Sequence, residues 1–384
     1  MCYTLFSILF IFTLARTWSS PMVHYYHPIA FIGTDGNIYL TDLSSHATKL
    51  TDGGINDIYQ SLKYSNLNWS STGSALLFSD NCSIYVLENK KKMRAISLPK
   101  CSQYFNPYAI WSADGNTIYY VSLTRSESGK IVQGISEIDI NTSSIRAIET
   151  SEIDVALGNG PTDSISSVIS RRERSENSFL IPSYIKLIRT KEGFIYNTTV
   201  KVQDGTYIDN GLRMISFNVE SKWVRNSIRL NGAVSWDNTK AFSTTWKNGS
   251  PRVELLDLQT GKTIMFLAKP LPTSWLPNGN TIIYSSLNSS DAAHEASLWS
   301  YDLTTRKESK LFAKPFTTIG STAVSSKGDR VVFTVIPMSD SLSELDTLAQ
   351  TGLFQVNLTT SDVTYISMGS NPAVADGDFF IDTQ

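Results

Sequence analysis

The 384-residue sequence predicts an all-β fold, and three observations carry that prediction. Amphipathic helical periodicity is hard to find anywhere along the chain. Short runs of alternating apolar and polar residues recur instead, with the period of a half-buried strand. These runs come in pairs joined by tight polar turns such as Asp114-Gly115, where glycine tolerates the positive φ that a hairpin turn requires.

Two kinds of hairpin alternate. The first is "AIWSADGNTIYY" at 109–120, matched almost position by position by "LNWSSTGSALLF" at 67–78. Weaker copies are "AVSWDNTKAFST" from Ala233, "PTSWLPNGNTIIY" from Pro272, "TAVSSKGDRVVFT" from Thr322 and "PAVADGDFFI" from Pro372, with a degenerate one in "YIKLIRTKEGFIYNTT" from Tyr184. The second kind starts at Asn37, Ser83, Ile135, Leu212, Arg252, Ser297 and Gly352; "RVELLDLQTGKTIMFL" is typical. Successive starts lie 40 to 55 residues apart, apart from one gap of 77.

Four strands per repeat at this spacing predict a β-propeller. A single four-stranded sheet cannot bury both of its faces, so neighbouring blades must stack around an axis. Seven copies of each hairpin predict seven four-stranded blades, with six as the alternative. A second-type hairpin opens the series and a first-type hairpin ends it. The ring is therefore expected to close by pairing the N- and C-terminal segments "IAFIGTDGNIYL" and "PAVADGDFFI", which removes exposed edges. Trp69, Trp111, Trp236 and Trp275 fall near the ends of first strands and are expected to fill the gaps between blades.

The elements "AIWSADGNTIYY" and "DGNIYLTDLSSHATKLTD" resemble the WD40-like (PD40) repeats of the TolB family, over nearly the whole chain beyond its first residues. The resemblance implies a propeller. Its motifs specify blade geometry and turns, and they barely constrain function. The best-known TolB propeller has six blades and an extra N-terminal domain. Neither matches the repeat count here, so a Tol-Pal role is not carried over.

Hydrophobic residues make up 41% and charged residues 18% of the chain, with a formal net charge of -2. That balance suits a globular core and argues against nucleic-acid binding or a polybasic membrane surface. Residues 1–19 carry an apolar run too short for a span of ~20 residues and suited to a signal peptide, although a basic n-region is missing. A buried strand or an uncleaved anchor is the alternative. Residues 20–384 are then one propeller domain with a polar insertion at about 151–182. It is expected to be secreted or periplasmic, monomeric, and without a transmembrane span.

Export leaves Cys82 and Cys101, which flank the hairpin "SIYVLENKKKMRAISLP". Folding it about Asn89–Lys92 places Cys82 opposite Pro99, two positions from Cys101. A disulfide is expected if the strand end curls inward; two free thiols are the alternative.

No catalytic constellation emerges from the sequence. A G-x-S-x-G elbow is missing, and "SADGNT" at 112–117 departs from an Asp box because its glycine directly follows the aspartate. His24, His27, His46 and His294 do not suggest a metal set, and Asp35, Asp114 and Asp376 read as turn caps rather than calcium ligands. No cofactor or metal is expected.

Two classes remain. One is a binding scaffold for a protein or glycan partner. The other is a carbohydrate-active hydrolase or lyase whose residues come from several blades. Loop length varies mainly in the connections between second and third strands and between blades, which share one face of the disc. That face is the expected binding surface. There Arg171, Arg172 and Arg174 are expected to contact an acidic partner or to pair with Asp340, Glu344 and Asp346. A merely solvated charged loop is the alternative for these arginines.

Overall fold

The computed structural model describes residues 22–43, 47–55, 63–80, 82–90, 92–99, 107–125, 131–153, 187–190, 193–203, 206–216, 221–225, 230, 232–247, 250–288, 295–338, 350–376 and 378–382. Every regular element among them is a strand. The N-terminal strands are Met22–Tyr26 (β1), Ile29–Ile32 (β2), Ile38–Thr41 (β3) and Thr48–Lys49 (β4). Next come Ser65–Trp69 (β5), Ala75–Ser79 (β6), Ser83–Glu88 (β7) and Arg94–Ser97 (β8), then Tyr108–Trp111 (β9), Thr117–Arg125 (β10), Ile131–Asp139 (β11) and Ile145–Ile153 (β12). The middle of the chain forms Leu187–Arg189 (β13), Gly193–Gln203 (β14), Thr206–Ser216 (β15), Ser221–Arg225 (β16), Lys240–Lys247 (β17), Ser250–Asp257 (β18) and Thr263–Leu267 (β19). The remainder are Pro272–Trp275 (β20), Thr281–Asn288 (β21), Glu295–Asp302 (β22), Glu308–Lys314 (β23), Thr317–Val324 (β24), Arg330–Pro337 (β25), Gly352–Asn357 (β26), Val363–Met368 (β27), Ser370–Val374 (β28) and Asp378–Asp382 (β29).

Five sheets are consecutive meanders: β5–β8, β9–β12, β13–β16, β20–β23 and β24–β27. A sixth, in the order β28-β2-β3-β4, takes its inner strand from the C-terminus, with Ile29 opposite Val374. A further ribbon pairs β1 with β29. The expected closure by chain ends is thus present, with three strands from the N-terminal segment and one from the C-terminal segment. The chain folds as a β-propeller. The expected seven four-stranded blades are corrected to six among the described residues, because β17–β19 form a sheet of three strands. Where a fourth strand would pair, the segment "GAVS" forms an isolated bridge, Val234 to Ala241, with backbone hydrogen bonds between Gly232, Ala233 and Phe242, and no regular strand. Gly232 packs there against Phe242 and Leu271, too closely for any Cβ.

Apolar clusters sit between neighbouring sheets, as stacking blades require. Leu76 and Phe78 face Ile32, Leu40 and Ala373, while Leu77 and Val86 face Trp111 and Ile118. The three-stranded sheet is covered on both sides, by Ile195 and Met214 on one and by Trp275 and Ile282 on the other. At the closure, Ile29 and Phe31 of β2 pack on Val332 and Leu353.

Turn chemistry repeats with the blades. After an inner strand, Gly115 donates to Ser112 O and Ser112 N–H to Thr117 O, with Gly115 at φ 72. Asn238 takes that left-handed place in the three-stranded sheet, at φ 56. The outer hairpins turn on an aspartate or asparagine cap: Asp139, Asp257, Asp302 and Asn357 accept from the N–H three residues on. Two of the segments read as long connections are largely strand. The β10–β11 arm runs out to Arg125 opposite Ile131, and the β14–β15 arm to Gln203 opposite Thr206.

Candidate functional site

The inner strands β5, β9, β24 and β28 lean together around a cavity of about 420 Å³. Its lining runs up these strands into the turns that follow them, from Asn66 to Gly73 on one side and from Pro372 to Asp376 on another. Hydroxyls, side-chain amides and backbone dominate the wall. Neighbouring blades hold many of these groups in place. Asn66 Nδ2 donates to Pro107 O at 2.7 Å, Ser71 Oγ to Ala113 O at 2.9 Å, and Ser326 Oγ to Asp376 Oδ2 at 2.7 Å. Thr322 Oγ1 is 2.6 Å from Ser274 Oγ and 2.9 Å from Thr273 Oγ1.

Trp236 also lines the cavity, and it departs from the expected role of the recurring tryptophans. Trp69, Trp111 and Trp275 are buried between blades, whereas Trp236 is 46% exposed. The Ser-x-Asp register explains why. Ser235 Oγ donates to Asp237 Oδ1 and accepts from Lys240 N–H, just as Ser112 Oγ donates to Asp114 and accepts from Thr117 N–H. Trp236 therefore matches Ala113 in the turn, two positions beyond the strand-end Trp111. Its indole Nε1 donates to Trp275 O at 2.7 Å, which fixes the ring on the next sheet.

Asp376, the one carboxylate among the described lining residues, is committed to other protein groups. Arg330 Nη2 donates to its Oδ1 at 2.7 Å, and Lys327 N–H to its Oδ2 at 2.9 Å. Both side chains of this pair are less than a tenth exposed. Burial alone raises the Asp376 pKa, but the hydrogen bonds from Ser326, Lys327 N–H and Arg330 outweigh it and hold the carboxyl below its ordinary value. His27 Nδ1 lies 3.5 Å from the same carboxylate. Burial, then the Arg330 charge, push that imidazole below its ordinary value.

Of the residues singled out from sequence, Arg171, Arg172, Arg174, Asp340, Glu344 and Asp346 lie outside the described residues, as does Cys101. Cys82 is disulfide-bonded. Its carbonyl accepts from Leu98 N–H, so the hairpin register is one residue from the expected pairing with Pro99. Among the described residues no cluster of three or more His, Cys, Asp or Glu is arranged to hold a metal. Asp35 and Asp114 cap their own turns at Asn37 and Asn116, as expected, whereas Asp376 reaches across to the neighbouring blade. No helix among the described residues is long and apolar enough to cross a membrane.

No family model matches the chain, and no curated protein does. Solved structures do. The chain is similar to TolB from Acinetobacter baumannii at 12% identity, covering 91% of this chain and 67% of that one, with a TM-score of 0.46. The β-propeller domain of the Trilobed protease from Pyrococcus furiosus matches at 11% identity over 87% of this chain and 90% of that one, TM-score 0.53. The acylaminoacyl peptidase of Pyrococcus horikoshii matches at 10% identity over 90% of this chain and 50% of that one, TM-score 0.54. At these identities the likeness is one of fold.

Proposed function

We propose that this chain is a binding propeller, exported to the envelope or the medium, that holds a partner at the end of its ring. The observation that carries the reading is the state of the cavity's acid. Hydrolysis or elimination on a sugar calls for carboxyl or imidazole groups free to move protons. Asp376 instead sits in a short pair with Arg330 and is held ionised by three donors. What remains around the cavity is a preorganised set of hydrogen-bonding groups on a stiff frame, suited to recognition.

The mouth at the inner-strand turns is the first contact surface in this reading. The charged long-loop face, with Arg171, Arg172 and Arg174 or Asp340, Glu344 and Asp346, is the opposite rim and adds a second contact. The three-stranded sheet β17–β19 serves as an incomplete seventh blade, and Cys82 pairs with Cys101. The reading is tested by capture from the producing organism's envelope and medium on immobilised wild-type protein. A Thr72→Arg variant, which fills the mouth, and a variant shortened at 339–349 are run beside it. Loss of the captured partner with Thr72→Arg is expected. Full capture by Thr72→Arg together with loss on loop shortening overturns the mouth as the contact surface.

A further inference from the structure

The cavity sets chemical conditions on what it binds. Its one acid is neutralised by Arg330, so a charged occupant finds no counter-charge there. Its wall offers side-chain amides and hydroxyls, among them Asn66, Asn68 and Thr72 from the β5–β8 blade and Thr322 from β24. Asn66, Thr72 and Thr322 are already oriented by hydrogen bonds within the protein and keep further donor or acceptor capacity. Asn66 Nδ2 donates to Ser79 Oγ and to Pro107 O, and its Oδ1 has acceptor capacity for a ligand.

Of the aromatic residues in the described lining, Trp69 is buried and Tyr108 partly buried, and Trp236 presents the exposed face. Trp236 is almost half exposed, and its N–H is held by Trp275 O. Tryptophan left in water forfeits apolar burial that the strand-end Trp69, Trp111 and Trp275 obtain between blades. An occupant that covers the ring while hydrogen-bonding to the wall matches both halves of the cavity. A pyranose has that shape: one face of C–H groups and a rim of hydroxyls. A flexible peptide meets the ring equally well but brings charged termini or side chains that the wall does not answer. The volume of about 420 Å³ lies within the roughly 300–1,000 Å³ of small-ligand sites.

We propose that the cavity is a neutral-glycan site in which one sugar ring stacks on Trp236 and its hydroxyls bond to Asn66, Asn68 and Thr72. This rests on the reading of the cavity mouth as a contact surface. The test is titration of the purified protein with uncharged oligosaccharides of glucose, mannose, xylose and N-acetylglucosamine, followed by calorimetry and ligand-observed NMR. Oligogalacturonate serves as the charged comparison. At least one neutral oligomer is expected to bind, with a tenfold or greater loss in Trp236→Leu and most affinity kept in Trp236→Phe. Thermal melting of each variant checks that the fold is intact. Absence of binding by every neutral oligomer overturns the proposal. So does binding indifferent to Trp236→Leu, or tighter binding of the charged oligomer. If no sugar binds but Thr72→Arg still abolishes capture of a protein partner, the glycan assignment fails while the mouth stands. If capture is also indifferent to Thr72→Arg, both fail.

Discussion

Arg330 and Asp376 join the C-terminal segment to the neighbouring blade through a nearly dry ion pair, where Arg330 also donates to Ala375 O at 3.1 Å. Removing one partner of such a pair leaves the other charge buried, at a cost of about 3–5 kcal/mol. Asp376→Ala is therefore expected to lower the urea midpoint sharply, and a double Arg330→Met, Asp376→Leu variant to recover much of that loss. A double variant as unstable as the single one would show that the pair itself holds the closure. The same groups set a pH response. Asp376 has a lowered folded pKa, so its contribution is complete above the ordinary carboxylate value of about 4 and is lost as pH falls through the lowered one. His27 is also lowered, so the unfolded chain takes up its proton first and stability declines as pH falls below about 6.5. Urea midpoints from pH 8 to 3 are expected to fall in two stages, with the lower stage reduced in Asp376→Ala. A second residue-level strain lies in the outer turns. Gly261 occupies their left-handed position at φ 68, but Arg306 takes it at φ 60. Arg306→Gly is expected to raise the melting temperature slightly, by an amount equivalent to about 0.5–1 kcal/mol.

Among the elements, β28 has the most neighbours to answer to. It pairs with β2, packs beside β24 and β5, and carries Pro372–Val374 on the cavity wall. Gly73, in the turn after β5, sits at φ 69, and a Cβ there would come within 3.0 Å of Asp376 O and 3.3 Å of Ala375. Ending the chain at Gly369 removes β28 and β29 together, exposing the β2 edge and the apolar layer of Ile29 and Phe31 on Val332 and Leu353. That truncation is expected to melt far below the full chain, or to aggregate through the bare edge; equal melting would show that closure contributes little. At the β7–β8 hairpin, alkylation of the unreduced protein is expected to leave Cys82 unmodified, in keeping with its disulfide. Tryptic mapping is expected to recover it joined to Cys101.

At the scale of the ring, cross-blade hydrogen bonds hold the cavity to one width. Trp111 Nε1 reaches Asn68 O at 3.1 Å and Trp275 Nε1 reaches Ala233 O at 3.3 Å, each tying an inner strand to its neighbour. A frame of this kind orders its polar groups before a ligand arrives, which lowers the entropic cost of binding. Because Asp376, the one charge among the described lining residues, is neutralised within the protein, occupancy of the cavity is expected to be nearly independent of salt. Affinity should change by less than about twofold between 50 and 500 mM NaCl, since screening acts on net charges. A steep salt dependence would place the main contact on the charged long-loop rim instead.

The sequence by itself determined the strands, their turns and the closure of the ring. Those features rest on local rules: period-two alternation, Asp-Gly and Asn-Gly turns, and aspartate caps that bond to their own next residues. "SADGN" and "LQTGK" carry such turns within a few residues. The long arms at β10–β11 and β14–β15 were not legible: by sequence 123–134 and 200–211 read as connections between second and third strands, because polar residues interrupt their apolar alternation. Neither was the cavity. Trp236 looked like its strand-end counterparts because tryptophan is the loudest letter in the repeat, while the quieter Ser235 and Asp237 decide its register. Nor does any local pattern join Asp376 to Arg330, His27 and Ser326, which lie far apart in the chain. Only the tertiary structure brings them together, because closing a ring places residues from opposite chain ends at one seam. Whether an acid there is a reagent or a clasp depends on the charge packed beside it.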